Sequence, residues 1–363
     1  MNLFIRTRIA PYRVDFYNAL HTRLGMRMCF YHRQGKDQSF DLDDLERRCL
    51  FRPVYLKGVS LGGDSRYLCT GLRKMIVRED PELVIVPEFQ LPLFQLWMIR
   101  LLYGKRYRIV SMCDDSLDMI EQDNDFSFLH RFLRKLAPRM LDGIIVPHPG
   151  VRDWYRQRFG IGTWMPIMMD EGKARERYAS LLPVSRTYVD RYGLRGRKVI
   201  LFVGRLVALK RVDLLLDAFS RIRRDAVLVV VGDGPEAERL KKQAEELHLD
   251  VVFTGRLEGD SLYAWYNLAD VLALLSSREA FGAVVNEALL GGCRVVVSCH
   301  AGASCLVDAG NGDIVKSEDP EEVRAALERQ MDLSEPFCGS LRPSRMPVLF
   351  DDMMDRMVRE ILA

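Results

Sequence analysis

The second half of the chain is a series of short, unbroken apolar runs set between stretches of helical periodicity. Val199–Val203, Ala226–Val231, Val251–Thr254, Val271–Leu275 and Val295–Val297 are the runs. Strands of this kind have no polar face to turn to water, so their sheet must be covered on both sides. Between the first two runs, Val212, Leu215, Leu216, Phe219 and Ile222 fall on one helical face. After the turn Gly232-Asp233-Gly234-Pro235, Ala237, Leu240, Ala244 and Leu247 do the same. Strand and helix in alternation predict a parallel sheet in a doubly wound α/β domain.

The first half repeats the rhythm less regularly. Its expected strands are Leu3–Arg6, Arg27–Tyr31, Leu83–Pro87, Arg108–Met112 and Gly143–Pro147. Its expected helices are Val14–Leu24, Arg66–Arg78, Leu91–Leu102, Phe128–Leu141 and Val151–Phe159. With 363 residues the chain suits two such domains, here 1–169 and 170–345. The polar segment Asp170–Arg197 reads as the crossing between them. Leu349–Leu362, within 346–363, reads as a last helix returning to the first domain, with Met353, Val358 and Ile361 buried. Doubly wound domains bind ligands beyond the carboxyl ends of their strands, so a site between two facing domains would draw on residues just after strands.

Hydrophobic residues at 48% and charged residues at 28% exclude a disordered chain. No apolar run reaches the roughly 18 residues that span a bilayer. The opening MNLFIRTRIAPYR has too short an apolar stretch for a signal peptide, so the expected location is cytoplasmic. The eight cysteines form no CxxC pair and read as reduced core thiols. Cys293, Cys299, His300 and Cys305 fit no usual zinc spacing, and no metal or cofactor is expected. A net charge of +3 argues against nucleic acid. Residues 1–165 carry 26 Lys/Arg against 19 Asp/Glu, a basic half suited to an anionic membrane, a phospholipid-linked substrate or solvent. Within it, Leu91–Arg108 mixes Leu93, Phe94, Trp97 and Leu101 with Arg100, Lys105, Arg106 and Arg108. It reads first as a helix packed on the sheet, with a basic end, and second as a peripheral membrane contact.

Three segments after strands carry candidate chemistry. Ser277–Leu289 opens a helix near Phe281, where free N–H groups favour a phosphate, Gly282 permits close approach and Ala283 is a further donor-binding candidate. Glu279 lies just before that helix. Glu287 lies about 6 Å further along its axis than Ala283, so the two carboxylates can bracket a diphosphate and accept from sugar hydroxyls. An ordinary surface helix with two glutamates has the same spacing. Gly204-Arg205-Leu206-Val207-Ala208-Leu209-Lys210 follows the first strand of the half, where Arg205 and Lys210 offer fixed positive charge to a departing diphosphate. Thr254-Gly255-Arg256-Leu257 follows another strand and suits a flat base, or a plain turn.

Taken in order, ILFVGRLVALKRVDLLLDAF, LVVVGDGPEAERL, VVFTGRL and SSREAFGAVVNEALLGG resemble the donor-binding half of retaining glycosyltransferases of family 4, glycosyl transferases group 1. The resemblance runs from Val199 to Ser317 and implies the GT-B fold, two Rossmann-like domains facing across a cleft. It implies a UDP- or GDP-type sugar donor and a saccharide or lipid-linked acceptor, as in cell-surface polysaccharide or glycoconjugate synthesis. It also implies that Glu279 meets the transferred sugar, Glu287 the ribose, Arg205 and Lys210 the diphosphate, and the Arg256 region the base. Two loops depart from the family. Arg6–Arg13 lacks the usual glycines, with Arg8 or Arg13 as substitutes, and His300-Ala301-Gly302-Ala303-Ser304 lacks a glycine pair.

In the first half, Asp114 follows a strand where relatives place a His or Asp, and it is a candidate partner of the sugar or the attacking hydroxyl. Asp114–Asp118 mimics a DDxxD run out of its helical context. Glu88, Gln90 and His148 also follow strands and are candidates for the acceptor side. Alternatives to transfer are an epimerase or hydrolase on the same fold, and a non-catalytic nucleotide-sugar-binding protein.

Overall fold

The computed structural model describes residues 1–33, 42–61, 67–104, 106–121, 133–316 and 318–363. The chain divides into two compact units, Met1–Met168 with Asp351–Ala363, and Met169–Phe350.

Among the described residues the first unit holds nine strands: β1 (Asn2–Arg6), β2 (Met26–Phe30), β3 (Val54–Tyr55), β4 (Gly58–Ser60), β5 (Tyr67–Cys69), β6 (Leu83–Pro87), β7 (Arg108–Met112), β8 (Gly143–Val146) and β9 (Thr163–Trp164). Seven form one sheet in the order β3-β2-β1-β6-β7-β8-β9, and β4 and β5 pair as a separate hairpin. Every pairing in the large sheet is parallel. Strand order reverses between β1 and β6, and the loops after these two strands open at that point. The sheet's side chains meet the helices Leu72–Glu79, Leu91–Tyr103 and Pro149–Phe159 in one core that includes Ile5, Val84, Ile109, Ile144, Leu93 and Tyr155.

The helix Phe350–Leu362 closes this unit. Its buried stripe is Met353, Met354, Met357 and Ile361, with Val358 only partly covered, one position away from the expected face. Arg23 is paired with both Asp351 and Asp355, and Arg156 donates to Glu360 at 2.9 Å.

The second unit is a six-stranded sheet of β10 (Lys198–Val203), β11 (Ala226–Val231), β12 (Val251–Gly255), β13 (Val271–Leu274), β14 (Arg294–Ser298) and β15 (Gly312–Val315). The order is β12-β11-β10-β13-β14-β15, again with every pairing parallel. Here the order reverses between β10 and β13. All six side chains of β11 are buried, which is why its sequence is one apolar run.

Several expectations need correction. Arg66–Arg78 is not one helix: Tyr67–Cys69 is β5, and the helix starts at Leu72. In Phe128–Leu141, residues 128–132 lie outside the described residues, as do Lys105 and Ser317, and Ala137–Met140 is a 3₁₀ turn. The polar crossing Asp170–Arg197 contains two helices, Glu171–Ser180 and Leu182–Arg191, both in the second unit. They pack there because Ala174, Tyr178, Leu181 and Ser185 recur at helical spacing and are buried. Ser185 donates to the Ala264 carbonyl at 2.9 Å, and Asn267 donates to the Tyr178 carbonyl at 2.9 Å. Cys299 and Cys338 are exposed, so these two are not the core thiols expected. Among the described residues, no helix is long and apolar enough to cross a membrane.

Candidate active site

In the second unit the loops after β10 and β13 meet at the reversal of strand order. The Ser277 amide donates to the Leu209 carbonyl at 2.9 Å, tying the two loops together. Lys210, in the 3₁₀ turn Ala208–Lys210, forms an ion pair with Glu279, and Ser276 donates to Glu279 at 3.4 Å. The two side chains are 21% and 18% exposed, so the pair is shielded but reachable. Arg205 is exposed and has no side-chain partner among the described residues.

Glu279 is placed by its backbone. It bridges to Ala301 in parallel fashion; its amide donates to the His300 carbonyl at 3.2 Å, and the Gly302 amide donates to its carbonyl at 3.2 Å. A Cβ on Gly302 would lie 2.3 Å from the Ala280 carbonyl oxygen, so this one glycine lets the two loops touch. The Gly204 loop is held similarly from its other side. Leu206 donates to Asp233 at 2.9 Å, Glu236 donates to Leu206 at 3.1 Å, and a Cβ on Gly232 would lie 1.8 Å from the Gly204 carbonyl oxygen.

The helix expected to open near Phe281 runs from Val284 to Leu290. Residues before it form a turn with Gly282 at φ +95°, and Phe281 is buried with its carbonyl accepting from Ala303 at 2.7 Å. Among the described residues, the amides of Phe281, Gly282 and Ala283 donate to no backbone carbonyl. Glu287 is not a surface residue. It is 9% exposed, and Tyr266 donates to its carboxylate at 2.7 Å while Tyr178 donates to its carbonyl at 2.8 Å. Burial, reinforced by the Glu287 charge, pushes both phenols far above their usual range, so they stay donors. A hydrogen bond to a buried carboxylate contributes about 1.5–3 kcal/mol, enough to hold the Glu287 side chain in one direction. Gly255 sits at φ +72°, and Leu257 is half-buried. Arg256 is exposed and bonded to Glu258 through Nε at 2.8 Å, so it lies against an acid of its own loop.

The first unit has its own polar cluster at the reversal between β1 and β6. Asp114 accepts from Arg6 at 2.7 Å and from Arg13 at 2.5 Å. Burial alone would raise the Asp114 carboxyl, but Arg13 and then Arg6 outweigh it and hold it below the ordinary carboxylate range. Arg13 itself is 3% exposed, an arginine buried because an aspartate meets it. Arg6 ends β1 and opens the loop Arg6–Arg13, for which the sequence points to Arg8 or Arg13 and not to Arg6. That position, the last residue before a switch-point loop, was the available signal.

Glu88 accepts from the Asp114 amide at 3.2 Å. Burial, with the charge of Asp115 next, pushes its carboxyl up to about 8. Glu88, Cys113 and Asp115 bring donor atoms within 4.8 Å of one another, though Asp115 is already paired with Arg134 at 2.5 Å. Gln90 lies at the start of the helix Leu91–Tyr103. His148 accepts from the Gly150 amide at 3.0 Å through Nδ1 and caps the helix Pro149–Phe159. Burial lowers its pKa, which suits a neutral ring with an acceptor nitrogen.

Glu88 gives a pH test. A carboxyl held protonated in the folded state binds more protons than the unfolded chain between 4.5 and about 8, so it makes stability fall as pH rises through that window. Glu88→Gln should flatten that fall by on the order of 2 kcal/mol between about pH 5 and pH 8. Urea unfolding at the two pH values reads it. Equal slopes for the variant and the parent would show that Glu88 is ionised in the folded protein.

Residues 186–337 match the family model described as glycosyl transferases group 1. The matched segment lies within the second unit. Relatives of the group 1 segment include an uncharacterized glycosyltransferase of Methanocaldococcus jannaschii, 36% identical over 137 residues, covering 36% of this chain and 35% of that one. Another is the GDP-mannose-dependent alpha-(1-6)-phosphatidylinositol monomannoside mannosyltransferase of Mycolicibacterium smegmatis, 33% identical over 151 residues, covering 38% of this chain and 40% of that one. The chain thus spans well under half the length of these two relatives. As a whole it is similar in fold to the Anabaena protein HepE in complex with UDP, with a TM-score of 0.73 at 18% identity, covering 99% of this chain and 97% of that one. The lipopolysaccharide outer core galactosyltransferase WaaB has the same architecture, with a TM-score of 0.64 at 17% identity, covering 99% and 95%. The group 1 segment therefore sits in a GT-B type α/β fold.

Proposed function

We propose that the protein is a retaining glycosyltransferase that moves a sugar from a UDP- or GDP-type donor to a saccharide or lipid-linked saccharide acceptor. The product is a cell-surface polysaccharide or glycoconjugate, and no metal or cofactor takes part. The observation that carries this reading is the Lys210–Glu279 pair, set between the loops after β10 and β13, with Arg205 in the same loop as Lys210.

The donor diphosphate competes with Glu279 for Lys210. Once Lys210 and Arg205 hold the phosphates, Glu279 is released toward the sugar hydroxyls. The unengaged amides of the Phe281–Ala283 turn add donors for phosphate. Glu287, aimed by Tyr266, takes the ribose, and the Arg256–Leu257 turn takes the base. The acceptor hydroxyl attacks from the face the diphosphate leaves, and a leaving phosphate oxygen takes its proton. The two cations stabilise the charge on the departing diphosphate. Asp114, kept ionised by Arg6 and Arg13, orients the sugar or the incoming hydroxyl. A lipid-linked acceptor brings the protein to the cytoplasmic face of an anionic membrane.

A panel of UDP- and GDP-sugars tests the reading. One donor should raise the melting temperature, since only the folded state binds it. With a saccharide or lipid-linked acceptor it should be turned over at the same rate in excess chelator. Loss of rate restored by a divalent ion would overturn the metal-free reading; release of free sugar at the same rate without acceptor would make the protein a hydrolase.

A further inference from the structure

The helix Leu91–Tyr103 has one charged residue, Arg100, in thirteen. A helix so uniformly apolar is ordinarily buried all round. This one is buried on one side only, through Pro92, Leu93, Leu96 and Ile99. On the other side Met98, Leu101 and Leu102 are 45%, 59% and 70% exposed. These three fall three and four residues apart and continue a stripe from Leu91, Phe94 and Gln95, which line a groove of about 370 Å³. The Gln95 amide exchanges two hydrogen bonds with Cys69 on β5, at 3.1 and 3.0 Å. On the β4–β5 hairpin, Val59 and Leu68 are direct cross-strand partners and both exposed.

Cations predominate around this apolar surface, although Arg78 pairs with Glu79 at 2.5 Å and Arg100 with Asp142 at 2.6 Å. The adjoining helix Leu72–Glu79 exposes Arg73, Lys74 and Arg78 along with Val77. Arg73 donates to the Tyr103 hydroxyl at 2.7 Å, which places a cation at the end of the apolar stripe. Lys74 and Arg106 are exposed and have no ion-pair partner among the described residues. Exposed leucines ringed by cations match the interface of an anionic bilayer, where chains meet the apolar side chains and headgroups meet the cations.

We propose that this face of the first unit docks on an anionic bilayer, with Leu101 and Leu102 entering the headgroup region and Arg73 and Lys74 pairing with phosphates. The proposal rests on the reading of the protein as a transferase that meets its acceptor at a membrane, and it specifies the surface that does so. The full chain is spun with vesicles of phosphatidylcholine alone or with about one third phosphatidylglycerol. It should pellet with the anionic vesicles at low salt and be released as salt rises. Leu101→Glu with Leu102→Glu, and Arg73→Glu with Lys74→Glu, should each lower the partition at least tenfold while leaving donor-induced thermal stabilisation unchanged. No pelleting, equal pelleting with neutral vesicles, or unaltered pelleting of either variant would overturn the proposal. So would a dimer, seen by light scattering, that only the Leu101→Glu and Leu102→Glu variant dissolves. Loss of donor stabilisation in the parent would instead count against sugar transfer, which keeps the two failures apart.

Discussion

Lys210→Ala is expected to lower turnover by about 10²–10³-fold, the loss typical when one preorganised stabiliser of transition-state charge is removed. The fold should survive. Lys210 lies in a short turn without buried residues, and its side chain is 21% exposed. The variant also leaves Glu279 without its cation, so donor affinity should change less than the rate. A phosphate group loses one partner, but the competing Lys210–Glu279 contact has gone as well. Steady-state kinetics with the donor found by thermal stabilisation read both quantities. Turnover within threefold of the parent would remove Lys210 from the chemistry and leave the ion pair as a structural contact.

The second large effect is on stability. Gly232→Ala should cost about 4 kcal/mol, combining a backbone conformation open mainly to glycine with overpacking against a neighbouring chain segment. Gly232 has φ +148°, and its added methyl would fall 1.8 Å from the Gly204 carbonyl oxygen. Neither atom belongs to a side chain that can swing away. Either the β11 turn or the Gly204 loop must move, and the latter carries Arg205 and Lys210. A fall in melting temperature of about 10 °C is expected for the second unit, with weaker donor binding at temperatures where the variant remains folded. A variant as stable as the parent would mean that the two loops separate freely. That would undercut the rigid placement of Lys210.

Much of this architecture was legible in the residues. β6 and β11 have the expected bounds because each is a continuous apolar run buried on both faces, and β7 has them although Arg108 and Ser111 interrupt its apolar residues. Strands β3 and β9, two residues each, lie at the sheet edges and are too short to leave a periodic signal. The helices of 171–191 were hidden for another reason. Their buried positions include alanine, tyrosine and serine, which a search for leucine and valine passes over. At the site, Lys210 and Glu279 were recognisable by their places after strands, whereas their pairing depends on a sheet order that puts β10 beside β13. The burial of Glu287 under Tyr266 and Tyr178 could not be read from spacing, since those tyrosines come from helices 21 and 109 residues away. Arg6 shows the same limit: its partner Asp114 is 108 residues distant.

The ion pairs of Arg23 with Asp351 and Asp355 bear on the order in which the chain can fold. They join residues up to 332 positions apart, and the first unit draws its last helix from the far end of the sequence. During synthesis, every residue of the second unit leaves the ribosome before that helix does. The second unit can therefore reach its native state while the first still exposes the apolar groove that Met354 and Met357 will fill. A nascent chain stalled before residue 351 should display that groove, and a chaperone that recognises apolar surface should bind it there and leave once the helix has docked.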